Sequence, residues 1–216
     1  MSDIAIIDYG VGNLLSVKRA FQYCETDVVI TSDPKTILNS SRVVLPGVGA
    51  FLNGMKALEQ KNLISTIHEL IANEVPLLAI CLGMQMLLEE SEEFGISKGL
   101  GIIPGRVVPI PRFSINRQQL KVPHIGWSEL KPAFEKSFSQ NGYLKNFTKS
   151  NSVYFVHSFM ASPESPTDIF SETIYGGHRI PAIIGRGSVI GCQFHPEKSG
   201  KVGIDLIQRF INWKQS

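Results

Sequence analysis

Apolar runs alternate with amphipathic runs through the first half of the chain. The segments Ile4–Ile7 and 77–80 are apolar at every position, which is typical of strands that helices cover on both faces. Segment 13–24 spaces its apolar residues as a helix does. The predicted strands are 3–8, Val28–Thr31, 43–45 and 76–80, and the predicted helices are 13–24 and 63–73. This alternation predicts an α/β fold with a mostly parallel central sheet.

The second half of the chain is predicted to be β-rich. Short β-type runs separated by glycine and proline occupy 102–108, 153–156, 180–184 and 189–194. Segments 112–119 and 131–150 are polar with weak periodicity, which predicts loops with one short helix. Segment 203–213 has the pattern of an amphipathic closing helix. Because no repeat and no long linker interrupts the chain, we expect a single domain over residues 1–216.

Composition and charge exclude several classes of protein. The 216 residues are 43% hydrophobic and 19% charged, which excludes a disordered or low-complexity chain. Lys and Arg total 21 against 19 Asp and Glu without a basic cluster, which argues against a nucleic-acid partner. The start has no export signal and the longest apolar run, 75–88, is too short for a bilayer span. With three widely spaced cysteines and no disulfide framework, we expect a cytoplasmic protein.

Cys81 stands at a predicted turn from a strand to a helix. The sequence Ala-Ile-Cys-Leu-Gly at 79–83 resembles the small-x-nucleophile-x-Gly elbow, whose small residues let the turn close sharply. Such a turn places a thiol above the carboxyl end of the sheet, where ligands bind and a helix dipole favours the thiolate. The alternative is a buried structural cysteine, which is the interpretation that we give Cys24.

A second candidate segment is 191–197, Gly-Cys-Gln-Phe-His-Pro-Glu. If it is extended, Gln193, His195 and Glu197 point to one face. A carboxylate two residues after an imidazole can fix its tautomer and leave the other ring nitrogen free to take a proton from a thiol. Because Cys192 would point to the opposite face, a metal site is disfavoured. A structural histidine is the alternative for His195 alone.

A third candidate segment is 46–49, Pro-Gly-Val-Gly, directly after a predicted strand. Its glycines allow unusual backbone angles and expose N–H groups, as an oxyanion hole requires. A phosphate-binding loop is disfavoured because the Gly-Lys-Ser/Thr ending is missing, and segment 10–15 lacks the third glycine of a dinucleotide fingerprint.

Taken together and in this order, the three segments resemble the class I (triad-type) glutamine amidotransferase family over essentially the whole chain. The resemblance implies a flavodoxin-like three-layer sandwich, with Cys81 as nucleophile, His195 as general base and acid, Glu197 as orienting carboxylate, and no cofactor or metal. The oxyanion hole that it implies involves Gly47, Val48 and Leu82. The glutamine-binding residues that it implies are Gly49, Gln85, His157 and Ser158.

Segments 8–14, 124–127, 154–158 and 198–199 resemble one branch of this family, the glutaminase subunits of imidazole glycerol phosphate synthases. The resemblance implies a heterodimer in which ammonia from L-glutamine passes to a HisF-type (β/α)8 cyclase subunit, which forms imidazole glycerol phosphate and AICAR in histidine biosynthesis. Trp127, Tyr154 and Lys198 match positions that face the partner, although each could equally be a surface lysine or a partly buried aromatic.

Three alternatives stay open. Segment 175–182, together with 191–193, is closer to paralogues that supply ammonia, with a HisF-like partner, to an N-acetyl sugar amidotransferase in surface polysaccharide synthesis. Separately, Ala79 occupies the elbow position where many relatives carry glycine. A γ-glutamyl hydrolase could use the same elbow, although Gln85 and the His157–Ser158 pair favour a small ligand. A non-catalytic regulatory module could share the fold, although the intact set of candidate catalytic residues argues against it.

Overall fold

A nine-stranded mixed sheet dominates the computed structural model, which describes residues 3–134, 144 and 151–213. The strands are β1 (Ile4–Ile7), β2 (Val28–Thr31), β3 (Arg42–Gly47), β4 (Leu77–Cys81), β5 (Leu88–Ser91), β6 (Ser97–Lys98), β7 (Ile103–Pro109), β8 (His124–Pro132), β9 (Asn151–His157), β10 (Phe159–Pro163), β11 (Ile169–Tyr175), β12 (His178–Arg186) and β13 (Val189–Cys192). The helices are α1 (Leu14–Tyr23), α2 (Pro34–Leu38), α3 (Phe51–Gln60), α4 (Leu63–Ala72), α5 (Leu82–Met86) and α6 (Gly200–Asn212), with 3₁₀ turns at Pro166–Asp168 and Pro196–Lys198.

The large sheet changes from parallel to antiparallel at β13. Its order is β2-β1-β3-β4-β13-β12-β11-β8-β9, and the first five strands are parallel. The remaining neighbours pair antiparallel. A smaller sheet in the order β10-β7-β5-β6 lies beside it. The predicted parallel α/β half and β-rich second half are therefore both confirmed.

Helices cover both faces of the parallel strands and form two cores. Along β1, Ile4 and Ile6 belong to the core under α1 and α6, where the rings of Phe21 and Phe210 meet edge to face at 6.4 Å. The alternate positions belong to the opposite core, which α3 and α4 close. This alternation builds three layers and confirms the predicted fold class.

Several elements differ from their predictions. Helices α2 and α3 were not predicted, and strands β5, β6, β8, β10 and β11 also escaped the sequence patterns. Residues 131 and 132 were predicted as loop but end β8, whose pairing continues that far. Helix α6 begins at Gly200 rather than at residue 203. The loops and short helix predicted for 135–143 and 145–150 lie outside the described residues.

The topology brings the three candidate segments to one edge of the sheet. Strands β3, β4 and β13 are neighbours, and Gly47 pairs in register with Cys81. Because parallel strands all end at the same edge, the segments that follow β3, β4 and β13 converge there. Within the described part of the chain, no helix is long and apolar enough to cross a membrane.

Candidate active site

Cys81 occupies a strained turn between β4 and α5. Its φ of 54° and ψ of −108° lie in the left-handed half of backbone space that favours glycine. The turn closes because Gly83 has no side chain, since a Cβ there would collide with the Leu45 carbonyl. The structure thus places Cys81 at a strand-to-helix turn, as the sequence predicts, with its side chain at a cavity wall.

His195 and Glu197 form a buried hydrogen-bonded pair beside this turn. The His195 Nδ1 atom lies 2.8 Å from the Glu197 Oε1 atom, and both side chains are almost completely buried. The segment is not extended throughout as supposed, because a 3₁₀ turn begins at Pro196. The proline fixes φ for that turn, and the turn brings the carboxylate back to the ring. The pairing of His195 with Glu197 therefore arises from a bend rather than from alternation along a strand.

The backbone of His195 is fixed from two sides. Its N–H donates to the Tyr154 carbonyl at 3.0 Å, and its carbonyl accepts from the Ser199 hydroxyl at 2.6 Å. The Ser199 oxygen in turn accepts from the Tyr154 N–H at 3.0 Å. These three hydrogen bonds connect His195 to β9. A movement of β9 would therefore move the backbone of His195 and, with it, the imidazole.

The electrostatic surroundings of His195 favour an imidazolium. Burial lowers the pKa of His195, but its contacts with Cys81 and Glu197 outweigh burial and raise the pKa to about 9. The buried Nε2 atom has no hydrogen bond of standard geometry to the described residues, although the Cys81 thiol adjoins the ring. Hydrogen bonds between catalytic groups are often long before substrate binds. The arrangement can therefore hold a thiolate next to a protonated ring.

Segment 46–49, the candidate oxyanion strand, continues from the end of β3 and lies beside the Cys81 turn. Val48, Gly49 and Leu82 line the cavity, whereas Gly47 is buried and lies outside the lining. A Cβ at Gly47 would collide with the Tyr9 hydroxyl. That hydroxyl donates to the Pro46 carbonyl at 2.7 Å, and burial together with the neighbouring Cys81 raises the pKa of Tyr9. A neutral phenol that sequence reasoning missed thus holds the first peptide of this strand.

The cavity of about 260 Å³ is lined by residues from distant parts of the chain. Its lining consists of Val48, Gly49, Cys81, Leu82, Gln85, Glu93, Pro123, Val156, His157, Ser158, Phe159 and His195. All four predicted glutamine-binding residues are included. The volume is small against the roughly 300–1,000 Å³ of drug-sized sites, which suits a single amino acid better than a peptide.

Glu93 is a cavity residue that the sequence did not single out. Its Oε2 atom accepts the Phe51 N–H at 2.6 Å, which supplies the cap that Ala50 cannot give to the start of α3. Segment 89–93 is rich in glutamate, which is typical of a solvent-exposed surface. The sequence therefore does not distinguish Glu93 from its neighbours as a binding residue. Its place in the lining puts a negative charge within reach of a ligand.

His157 lies in the cavity wall as a neutral ring. Burial and the neighbouring His124 and His195 lower its pKa to about 4, although its bond to the Phe159 carbonyl opposes the shift. The Nδ1 atom donates to that carbonyl at 2.8 Å. A ring fixed in this way shapes the wall and is a poor base at neutral pH.

The three predicted interface residues lie away from the cavity lining. Trp127 is 58% exposed, Lys198 is exposed and Tyr154 is half-buried. Trp127 and Tyr154 are paired across β8 and β9, with ring centroids 6.1 Å apart. The exposed face of this strand pair is therefore aromatic and connects through the Tyr154 backbone to His195.

Among residues 3–134, 144 and 151–213, no group of three or more metal-ligating side chains is clustered for an ion. All three cysteines are free thiols. Burial raises the pKa of Cys192 and of Cys24, so these two are poor nucleophiles.

Comparison with known proteins identifies relatives over the full length. The family model for glutamine amidotransferase class-I matches residues 5–213. The imidazole glycerol phosphate synthase subunit HisH 1 of Legionella pneumophila (strain Lens) is 50% identical, covering 98% of this chain and 99% of its own. The HisH subunit of Geobacillus sp. (strain WCH70) is 40% identical over 97% and 96% of the two chains. The structure of PurLQS from Thermotoga maritima, at 16% identity, shares the fold with a TM-score of 0.70 over 98% of this chain and 99% of that chain.

Proposed function

Because the chain belongs to the class-I glutamine amidotransferase family, we propose that it hydrolyses L-glutamine as the glutaminase subunit of an imidazole glycerol phosphate synthase, acting as one domain. The observation that carries this proposal is the strained Cys81 turn beside the His195–Glu197 pair, at the wall of a cavity sized for an amino acid. The HisH relatives at 40% and 50% identity support the choice of synthase.

The reaction begins when the Cys81 thiolate attacks the side-chain amide carbon of glutamine. The carbonyl π electrons move to oxygen, and the resulting oxyanion needs N–H donors. The Leu82 N–H begins α5 with no side-chain cap, and it supplies one donor. We place the second donor on the 47–49 strand, where Gly49 has a φ of 97° and thus the backbone freedom to turn an N–H towards the cavity.

Collapse of the tetrahedral intermediate breaks the carbon–nitrogen bond. His195 gives its Nε2 proton to the departing nitrogen, so ammonia leaves and a γ-glutamyl thioester remains on Cys81. The neutral ring then takes a proton from water, whose oxygen attacks the thioester carbon. The carbon–sulfur bond breaks, glutamate leaves, and Cys81 returns to a thiolate beside the imidazolium. Glu197 holds the Nδ1–H throughout, which keeps Nε2 facing the reacting atoms.

Glu93 is the group that we assign to the α-ammonium of glutamine. Replacing it with glutamine removes the charge while an amide oxygen can still accept the Phe51 N–H. We expect Glu93→Gln to raise KM about 10- to 100-fold, the cost of a charged hydrogen bond, with little change in kcat. Steady-state glutamate release measures both constants.

Glu92→Gln is the matched control for this substitution. Glu92 pairs with Arg106 at 3.5 Å and lies outside the cavity lining, so its KM is expected to equal that of the wild type. If KM is also unchanged in Glu93→Gln, the α-ammonium binds elsewhere.

The ammonia needs a shielded route because it protonates in water and loses its nucleophilicity. We propose that a HisF-type (β/α)8 subunit docks on the face containing Trp127, Tyr154 and Lys198 and receives it. An exposed tryptophan is an ordinary anchor for a protein interface. A displacement of β9 on docking would be transmitted to His195 through its hydrogen bonds with Tyr154 and Ser199.

The proposed function is tested by measuring glutamate release from the isolated chain, with a HisF-type subunit, and with that subunit plus its nucleotide intermediate. We expect slow turnover alone and stimulation of about 10²-fold in the full complex, near the upper end of typical allosteric coupling. Fast turnover by the isolated chain would contradict the gating, and cleavage of γ-glutamyl peptides would indicate a hydrolase instead.

Part of the segment that suggested the sugar-pathway alternative forms a turn at the surface. Residues 175–178 form the β11–β12 turn, where His178 Nε2 donates to the Phe113 carbonyl at 2.7 Å and Gly176 packs against Leu120. The turn therefore positions a surface loop and is absent from the cavity lining. Adding an N-acetyl sugar amidotransferase together with a HisF-like partner to the same assay, in place of the cyclase of histidine biosynthesis, separates the two acceptors.

A further inference from the structure

Gln193 is a buried amide next to the reacting sulfur that the mechanism above does not use. It is fully buried, and its backbone N–H donates to the Ala182 carbonyl at 2.9 Å. Its side-chain Nε2 atom lies 3.7 Å from the Cys81 Sγ atom, within the range for a hydrogen bond to sulfur. A donor thus faces the sulfur from a position that neither His195 nor the oxyanion strand occupies.

The orientation of the Gln193 amide is fixed by its neighbours. The Phe159 carbonyl can only accept, so the Gln85 amide must turn its NH2 group towards it, at 3.0 Å. The second N–H of the same group points to Gln193 Oε1, also at 3.0 Å. If Gln193 were flipped, two NH2 groups would face each other. The NH2 group of Gln193 is therefore the end that reaches Cys81.

Two histidines complete the polar chain behind Gln85. His157 Nδ1 donates to the Phe159 carbonyl, which leaves Nε2 to accept from His124 Nδ1 at 3.2 Å. The other His124 nitrogen accepts from the Ser128 hydroxyl at 2.9 Å. On the histidine side, the donors run from Ser128 through His124 and His157 to the Phe159 carbonyl, and on the other side they run from Gln85 through Gln193 to the Cys81 sulfur. The network has one consistent set of proton positions, and it holds when both rings are neutral.

We propose that Gln193 is a further catalytic residue, which donates a hydrogen bond to the Cys81 thiolate, and that Gln85 is a positioning residue that fixes the orientation of the Gln193 amide. The inference rests on the proposed function only in taking the thiolate as the nucleophile. When the thiol ionises beside the protonated His195 ring, its proton goes to solvent, and Gln193 keeps its own protons. A hydrogen bond to the charged form of an acid favours that form and tightens when the acceptor ionises.

The test follows alkylation of Cys81 by iodoacetamide across pH in the isolated chain, with mass spectrometry of the Cys81 peptide to exclude Cys24 and Cys192. Gln193→Met keeps the length of the side chain and removes the donor. In Gln193→Met, we expect the inflexion in the plot of alkylation rate against pH to lie about 1 pH unit higher than in the wild type. At pH values below the inflexion, alkylation should then be about 10-fold slower. Gln60→Met, at the exposed end of α3, is the matched control and should reproduce the wild-type curve.

Gln85→Leu tests the positioning role in the same assay. Once Gln85 is gone, the Gln193 amide can present either end to the sulfur, so we expect a smaller upward shift of the inflexion. An unchanged inflexion in Gln85→Leu removes that residue from the proposal. An inflexion in Gln193→Met equal to that of the wild type overturns the proposal as a whole.

A measurement on the wild type covers the case in which Gln193→Met does not fold. The side-chain ¹⁵N–H signals of Gln193 should titrate at the midpoint of Cys81 alkylation, and signals that do not respond to pH overturn the proposal. Neither experiment contains glutamine or a partner subunit. Loss of glutaminase activity in the wild type would therefore refute the proposed function, while the hydrogen bond from Gln193 to the Cys81 thiolate would still stand. An unchanged inflexion in Gln193→Met would overturn this inference and leave the proposed function standing.

Discussion

Cys81→Ala is expected to reduce glutamine hydrolysis by about 10⁴-fold or more in the complex activated by its partner and nucleotide. Without the sulfur no γ-glutamyl thioester can form, and the strained turn at φ 54° then presents only a methyl group to the cavity. Glutamine should still bind, because Gln85 and Glu93 still line the cavity. Glutamate release measures the loss, and calorimetry measures the retained affinity.

Cys24→Ala is the matched control because it also removes one thiol. Cys24 is half-buried under α6, where its Sγ atom lies 3.9 Å from the Ile204 carbonyl, and we expect nearly normal kcat and KM. Turnover by Cys81→Ala close to that of the wild type would mean that water attacks glutamine directly, and the covalent mechanism would be wrong.

The sequence predicts the parallel half of the fold well because local pattern and burial coincide there. Strands β1 and β4 are apolar at every position and are buried on both faces, so no surface periodicity obscures them. Helix α2 is only five residues long and depends on its Asp33 cap and Pro34. Such a short helix carries too few turns for a hydrophobic period to show.

The antiparallel half depends on contacts between distant segments. Strand β8 places Ile125 and Trp127 on an exposed face, so its alternation runs opposite to that of an ordinary surface strand. Its formation depends on pairing with β9 and β11. Context of this kind overrides local propensity, and a single sequence does not display it.

The residues of the candidate site also fall into two groups, those that a local segment predicts and those whose roles depend on distant partners. Cys81, His195 and Glu197 lie in two short segments, and the residue pattern within each segment indicates the chemistry. Tyr9 and Gln193 acquire their roles through partners 37 and 112 residues away, the Pro46 carbonyl and the Cys81 sulfur. Such long-range contacts become visible only when β1, β3, β4 and β13 are set side by side.

Glu197→Gln is expected to lower kcat roughly 10²- to 10³-fold with little change in KM. The carboxylate bonds His195 Nδ1 at 2.8 Å and lies outside the cavity lining, so it acts through the imidazole. The pKa of His195 is raised to about 9 partly by this carboxylate. Removing the charge lowers that pKa, because the imidazolium loses a stabilising neighbour.

The sign of this shift appears in the pH profile. In the wild type, activity on the alkaline side should fall as His195 loses its proton near pH 9, since the imidazolium is the acid that protonates the departing amide nitrogen of glutamine. In Glu197→Gln, the alkaline limb of the plot of kcat/KM against pH should move to lower pH. Glu172→Gln provides the control. Glu172 is also a buried carboxylate, paired with Arg179 at 2.6 Å, and its loss should lower stability without moving the limb. An alkaline limb that stays in place in Glu197→Gln would mean that Glu197 only packs against the ring, since a carboxylate that stabilises the imidazolium must change its proton affinity when neutralised.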